Sequence, residues 1–236
     1  MSAGLDIYGG HDPRDVAAYT VGEAARYLHL PRGTLLHWVA GQPYRTPDGK
    51  PHRRQRVIQP ASNKPPLLSF WNLVEAFVLS AIRRHHGVPL QKVRRAITFV
   101  QREMDLERPL IEKDFLTNGV DLFVSEYSRL INASRDGQVE MKDMLSASLE
   151  RVERDPKGLA TKLFPWSREP REPLEVEIDP RRAFGKLVVR GTGIPTRVIA
   201  DRLLAGDTIE GLAFDYGLTM VQLSSALRWE LPSRLA

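Results

Sequence analysis

The pattern at the C-terminal end leaves the chain the least freedom. Phe184-Gly185-Lys186-Leu187-Val188-Val189-Arg190 alternates about Leu187 and Val189 as a short strand does, and Gly191-Thr192-Gly193 permits a sharp turn. Ile194-Pro195-Thr196 then leads into apolar residues at helical spacing. Thr196 is expected to cap a helix that begins at Arg197 and ends near Gly206. Asp207 is expected to cap a second helix over 208–216, whose inner stripe is Ile209, Leu212, Ala213 and Tyr216, and Gly217 separates it from a third over 218–230. A strand followed by a compact helix-turn-helix bundle is therefore expected for residues 174–236. Its last helix offers only Gln222, the serines and Arg228 as polar groups, which favours docking of a partner or a second copy over DNA reading and leaves open whether this unit touches DNA. The strand carrying Leu187 and Val189 could pair with its copy in a homodimer or higher homo-oligomer.

A chain of 236 residues with 42% apolar side chains can bury a proper core and divide into two or three small domains. The absence of cysteine excludes disulfides and thiolate metal sites. The opening residues lack the apolar run of a signal peptide, and the longest apolar stretch, 76–82 interrupted by Ser80, is too short to span a bilayer. A cytoplasmic protein with no membrane contact is expected. Charge is uneven: residues 1–102 carry a net +9, 103–155 a net −6 and 156–236 a net +2. A basic front end beside an acidic middle points to a polyanionic partner at the N-terminus.

That front end also carries a motif. Thr20 and Glu23 form a capping-box pair ahead of a helix with Val21, Ala24, Ala25 and Leu28 on one face; His29-Leu30 makes a turn, and Pro31 opens a second helix that Gly41 ends. Pro47-Asp48-Gly49-Lys50 is a turn sequence between two short cationic strands. The candidate DNA-contacting residues are Arg32, Thr34 and His37 on the second helix and Arg45, Lys50, Arg53, Arg54 and Arg56 on the hairpin. After a polar, proline-bearing stretch, Ser69 can cap a helix reaching His86, and Pro89 opens another with Val93, Ile97, Val100 and Met104 inward. Residues 1–108 resemble the winged helix-turn-helix of MerR-like regulators, which implies that the second helix lies in the major groove while the hairpin follows the backbone.

The C-terminal pattern, Gly185-x-x-Val188-x-x-Gly191-Thr192-x-Ile194-Pro195, then Ala205-Gly206-Asp207, Asp215-Tyr216 and Ala226-Leu227, resembles a small domain of unknown function found in VapB-like antitoxins of type II toxin-antitoxin systems. The resemblance implies an antitoxin that directly binds and neutralises a cognate PIN-like (VapC-like) ribonuclease toxin encoded next door. It further implies binding of the protein's own operator DNA as an autorepressor. Candidate partner or dimer residues are Leu187, Val189, Arg197, Arg202, Arg228, Trp229 and Arg234, with Arg228 and Arg234 able to reach a carboxylate-lined toxin site.

The middle, 109–165, reads as a small α+β connecting region. Asn118-Gly119 and Asp136-Gly137 each signal a hairpin, 141–154 a helix, and the proline-rich run 165–173 a linker. No catalytic constellation emerges. Glu175, Glu177 and Asp179 alternate on a possible strand, the histidines lack metal-ligand spacing, and Gly191-Thr192-Gly193 lacks the third glycine of a dinucleotide loop. The fold class expected is α+β, mainly α, with no enzymatic activity, cofactor or metal. Two other functions stay open: a MerR-like transcription regulator responding to a small-molecule effector, and a metal-dependent nuclease using Glu175, Glu177 and Asp179.

Overall fold

In the first helical pair, the Thr20 hydroxyl accepts the Glu23 amide at 3.1 Å, ending strand β1 (Tyr19–Thr20) and starting helix α1 (Val21–Tyr27). Glu23 does not complete a reciprocal box, because its carboxylate accepts the Tyr27 hydroxyl at 3.1 Å. The turn passes through His29, at φ 47°, into α2 (Arg32–Ala40), which buries Leu35, Trp38 and Val39. A computed structural model describes residues 8–53, 55–84, 90–112, 115–166 and 171–231, and among these run nine α-helices and nine short strands.

Strands β2 (Pro43–Arg45) and β3 (Pro51–Arg53) form the expected hairpin, with Tyr44 opposite His52 and Gly49 at φ 78° in the turn. The polar, proline-bearing stretch ahead of the next helix holds two further strands, β4 (Ser62–Asn63) and β5 (Pro66–Leu68), and β5 pairs with both β4 and β1. The buried Asn72 side chain organises it. Its carbonyl accepts the amides of Ala61 and Ser69, each at 3.1 Å, and its amide donates to Gln59 O at 2.8 Å. Helix α3 (Phe70–Arg84) starts at Ser69, whose hydroxyl accepts the Asn72 amide. Phe70, Leu73, Val74, Ala76, Phe77, Val78, Leu79 and Ile82 are all buried, so α3 is enclosed on most sides and forms the centre of the core, with Asn72 and Ser80 buried among them. Helix α4 (Leu90–Met104) turns Val93, Ile97 and Val100 inward, as its periodicity predicts; Gly87 and Pro89 lie outside the described residues.

Neither hairpin expected in the middle forms. Residues 115–119 make a π-helical turn that runs into α5 (Val120–Ile131), and α6 (Arg135–Leu149) follows after Asn132, left-handed at φ 55°. Gly119 has helical angles, φ −74° and ψ −27°; it is glycine because a Cβ there would lie 2.6 Å from the Phe115 ring. The period-2 look of Val120, Leu122 and Val124 hides a helical period, with Val120, Phe123, Val124 and Tyr127 buried together. Asp136-Gly137 sits in the first turn of α6, where the Gly137 amide donates to the Ser134 hydroxyl at 3.2 Å. The helix expected over 141–154 thus starts earlier and stops at Leu149, and Val152–Arg154 is strand β6.

Strand β6 pairs with β7 (Ala160–Leu163), β7 with β8 (Val176–Ile178), and β8 with β9 (Leu187–Val189), all antiparallel. This sheet crosses the expected linker. Trp166 in that segment is buried 4.5 Å from the Phe77 ring, and Arg151 donates to the carbonyls of Phe164, Pro165 and Glu172. Three helices complete the chain: α7 (Thr196–Leu204), α8 (Ile209–Tyr216) and α9 (Met220–Glu230). Their caps differ from expectation by one residue. Thr196 lies inside α7 and donates to Glu230; Thr208 caps α8 by accepting the Gly211 amide, and Asp207 instead pairs with Arg202. Thr219 and Gln222 form a full capping box on α9.

Two apolar clusters result. The larger runs from Tyr19 and Leu68 through α1–α6 and the β6–β7 pair to Val176, Ile178, Leu187 and Trp229, and leaves the exposed β2–β3 hairpin outside it. The smaller joins Val189 to Ile199, Leu212, Leu223 and Leu227 within the three-helix unit.

Candidate nucleic-acid interface

Helix α2 turns Leu35, Trp38 and Val39 inward, which by helical geometry leaves Arg32 and His37 exposed and Thr34 half-buried on its outer side. The β2–β3 hairpin follows at once and folds back against the end of α2, where Arg53 donates to Ala40 O at 2.8 Å. That carbonyl belongs to the negative end of the helix, a favourable place for a guanidinium. Arg45 is tied to the turn through Gly49 O at 3.2 Å, and Lys50 lies 3.1 Å from Asp48, so the tip is partly neutralised. Tyr44, 42% exposed, stacks on His52 with ring centroids 5.7 Å apart. Arg56 lies beyond the strand and donates to the Asn63 side chain at 2.6 Å. Arg54 lies outside the described residues.

The first turns of α4 come up beside this hairpin. His37, Gln42, Tyr44, Arg53, Gln55 and Arg94 face a cleft of about 320 Å³ between α2, the hairpin and α4. Arg94 is hydrogen-bonded to the Gln55 side chain, a bond that spans 39 positions in sequence. A second depression of about 510 Å³ adjoins it, lined by Ala40, Arg53, Gln55, Arg56 and Arg94, and a third runs along α4 past Arg95 and Arg102. Among the described residues Arg53, Arg56, Arg94, Arg95 and Arg102 meet no carboxylate within ion-pair distance. Arg14, Arg26, Arg108, Arg129, Arg197 and Arg202 all do. A trough whose arginines make no ion pair among the described residues, with Glu103 as the one carboxylate in its lining at the far end of α4, suits a run of phosphates, and the amides of Gln42, Gln55 and Gln91 beside it suit base edges.

Sequence reasoning named candidates on the hairpin and α2, and the structure adds Gln42, Tyr44, Gln55, Gln91 and Arg94 to the lining of the same cleft. The inward stripe of α4 already implied that Arg94, Arg95 and Arg102 face outward. That α4 docks against the hairpin carries no local signal.

The partner residues expected at the other end separate into two sets. Leu187, Val189 and Trp229 are at most 5% exposed and belong to the core, so none offers a surface. The far edge of β9 is also partly occupied, since Val188 bridges Pro195 and the Val189 amide donates to Ile194 O at 2.9 Å. Pairing of this strand with a second copy therefore gives way to pairing within the chain. Arg197 and Arg228 are exposed, Arg197 paired with Asp201; half-buried Arg202 is shared by Asp207 and Asp215 over the Tyr216 ring. Arg234 lies outside the described residues. Of the carboxylates weighed as a metal site, Glu177 and Asp179 are buried and accept the amides of Gly191 and Arg181. No cluster of three metal-ligating side chains occurs among the described residues, and no helix there is long and apolar enough to cross a membrane.

Residues 17–97 match a family model described as "Putative DNA-binding HTH domain", and residues 176–229 match one described as "Protein of unknown function (DUF433)". Over 229 residues the chain is 31% identical to the Mycobacterium tuberculosis protein named "Putative antitoxin VapB45", covering 90% of this chain and 93% of that one. A second protein of the same organism, "Uncharacterized protein Rv2308", is 27% identical over 239 residues, covering 94% and 93%. The crystal structure of Rv2018 from Mycobacterium tuberculosis superposes with a TM-score of 0.65 at 26% identity, covering 90% of this chain and 98% of that one.

Proposed function

The chain belongs to the family of the Mycobacterium tuberculosis protein named "Putative antitoxin VapB45", and from that premise we propose that it is a DNA-binding antitoxin. It neutralises a cognate PIN-like ribonuclease toxin, the product of the adjacent open reading frame, by direct binding, and it represses its own operon by binding operator DNA. The observation that carries the DNA half is the set of arginines around the α2–hairpin–α4 trough that have no carboxylate of their own. In this reading Arg32, Thr34 and His37, on the outer side of α2, meet base edges, while Arg53, Arg56 and Arg94 meet phosphates, which their lining of one depression supports. Neutralising phosphates in this way releases counter-ions, so affinity falls steeply with salt.

The Arg53→Ala/Arg56→Ala/Arg94→Ala variant is expected to bind every duplex more weakly. The slope of log affinity against log salt should be shallower by roughly 0.9 for each phosphate that the variant no longer neutralises. Fluorescence anisotropy over a salt series measures both, and an unchanged slope would remove the trough from the mechanism. The toxin half is tested by co-expressing the tagged chain with the neighbouring open reading frame and assaying ribonuclease activity of the purified neighbour with and without this protein. A stable complex with suppressed activity supports it; an inactive neighbour, or one left uninhibited, refutes it.

A further inference from the structure

Glu230 ends the last helix, yet its side chain is only 2% exposed. Its carboxylate accepts two hydrogen bonds from one nitrogen of Arg26, at 2.6 and 2.8 Å, and a third from the Thr196 hydroxyl at 2.7 Å. Arg26 lies in the last turn of α1, 204 positions away, with its guanidinium over the Tyr27 ring. Beside it, His29 in the turn between α1 and α2 packs on Trp229 with ring centroids 4.1 Å apart and the planes tilted by 44°. On the near side of α1, the Tyr19 hydroxyl donates to Gly185 O at 2.9 Å. The start, the end and the turn of the DNA-binding helix pair are therefore all held by the C-terminal unit.

Exposed ion pairs hold little in place, but a desolvated carboxylate shared by two donors is confined to one geometry, and removing a donor leaves it buried and underpaired. We propose that Glu230 is a positioning residue for DNA recognition: through Arg26 it sets the angle at which α1, its turn and hence α2 are presented to the duplex. The inference rests on the DNA-binding reading above. The outer face of α9, with Val221, Ser224 and Arg228 exposed, supplies one cation, so Glu230 acts on DNA by way of Arg26 and not through a DNA contact of its own helix.

The test uses the full chain and two probes: the duplex that the wild-type protein selects from a randomised pool, and an unselected duplex of equal length. Arg26→Ala and Glu230→Gln are each expected to weaken binding to the selected duplex roughly tenfold, the size of coupling between contacting charged groups. Binding to the unselected duplex and the salt slope should hardly change, and the double variant should bind no worse than either single one. Arg26 is 42% exposed, so its truncation keeps the test decisive even where Glu230→Gln compromises folding. A purely structural pair would lower the thermal midpoint while leaving the selectivity of the folded protein intact; that result, or effects that add in the double variant, overturns the positioning role. A wild-type chain that enriches no duplex overturns the DNA-binding reading itself.

Discussion

Gly185 is a residue whose identity is dictated by what lies next to it. A Cβ there would stand 2.1 Å from the Tyr19 hydroxyl, and the backbone has φ 71°, following Ala183 at 46° and Phe184 at 55°. Three successive left-handed residues reverse the chain before β9, and Tyr19 holds the reversal by donating to Gly185 O. Burial pushes the Tyr19 phenol well above its usual pKa, so it stays a donor. Gly185→Ala combines a backbone penalty with overpacking and is expected to cost roughly 2–5 kcal/mol, measured by urea unfolding. Adding Tyr19→Phe removes the clashing oxygen and should restore part of that stability. If the double variant is no more stable than Gly185→Ala alone, the close approach is not what demands glycine. The glycine at 185 is visible in sequence as part of a motif; its reason is not, because the atom it avoids is 166 positions away.

At the scale of elements, the helical pair at the front is legible because caps and stripe agree: Thr20, the inward Val21, Ala24 and Ala25, and the helix ends around His29 and Gly41 all point the same way. The middle misleads because two dipeptides favoured in hairpin turns serve other purposes there. Gly119 makes room for Phe115, and Gly137 offers its amide to Ser134. Ser134→Ala is expected to destabilise the protein by about 1 kcal/mol by removing the α6 cap. The measurement is a shift in urea midpoint with the slope unchanged, and an unmoved midpoint would mean that α6 is held by packing alone. The β2–β3 hairpin can be found from its turn chemistry, while β4 and β5 escape a sequence reading because their register depends on Asn72 in a different element.

At the scale of the molecule, sequence reasoning divides the chain at 165–174, and the apolar core does not follow that division. Val176, Ile178, Leu187 and Trp229 complete the cluster that contains α1 to α6. Removing four buried side chains at ~1.5–3 kcal/mol each amounts to about 6–12 kcal/mol, the order of a whole domain's stability. A fragment of residues 1–165 is therefore expected to lack the cooperative unfolding transition of the full chain, by circular dichroism in urea. A fragment that unfolds cooperatively at the full chain's midpoint would show an independent unit. What the sequence determined by itself was local: the front helix pair, the cationic hairpin, and the strand and three helices at the end, with a basic front end that sets the expectation of a polyanionic partner. These follow from dihedral preferences, periodicity and charge, which act over a few residues. Only the tertiary structure decided that α4 lines the trough, that Leu187 and Trp229 are core and not surface, and that Glu230 holds Arg26. Each of those depends on which apolar faces bury one another, a choice made by the whole chain at once and written in no single segment.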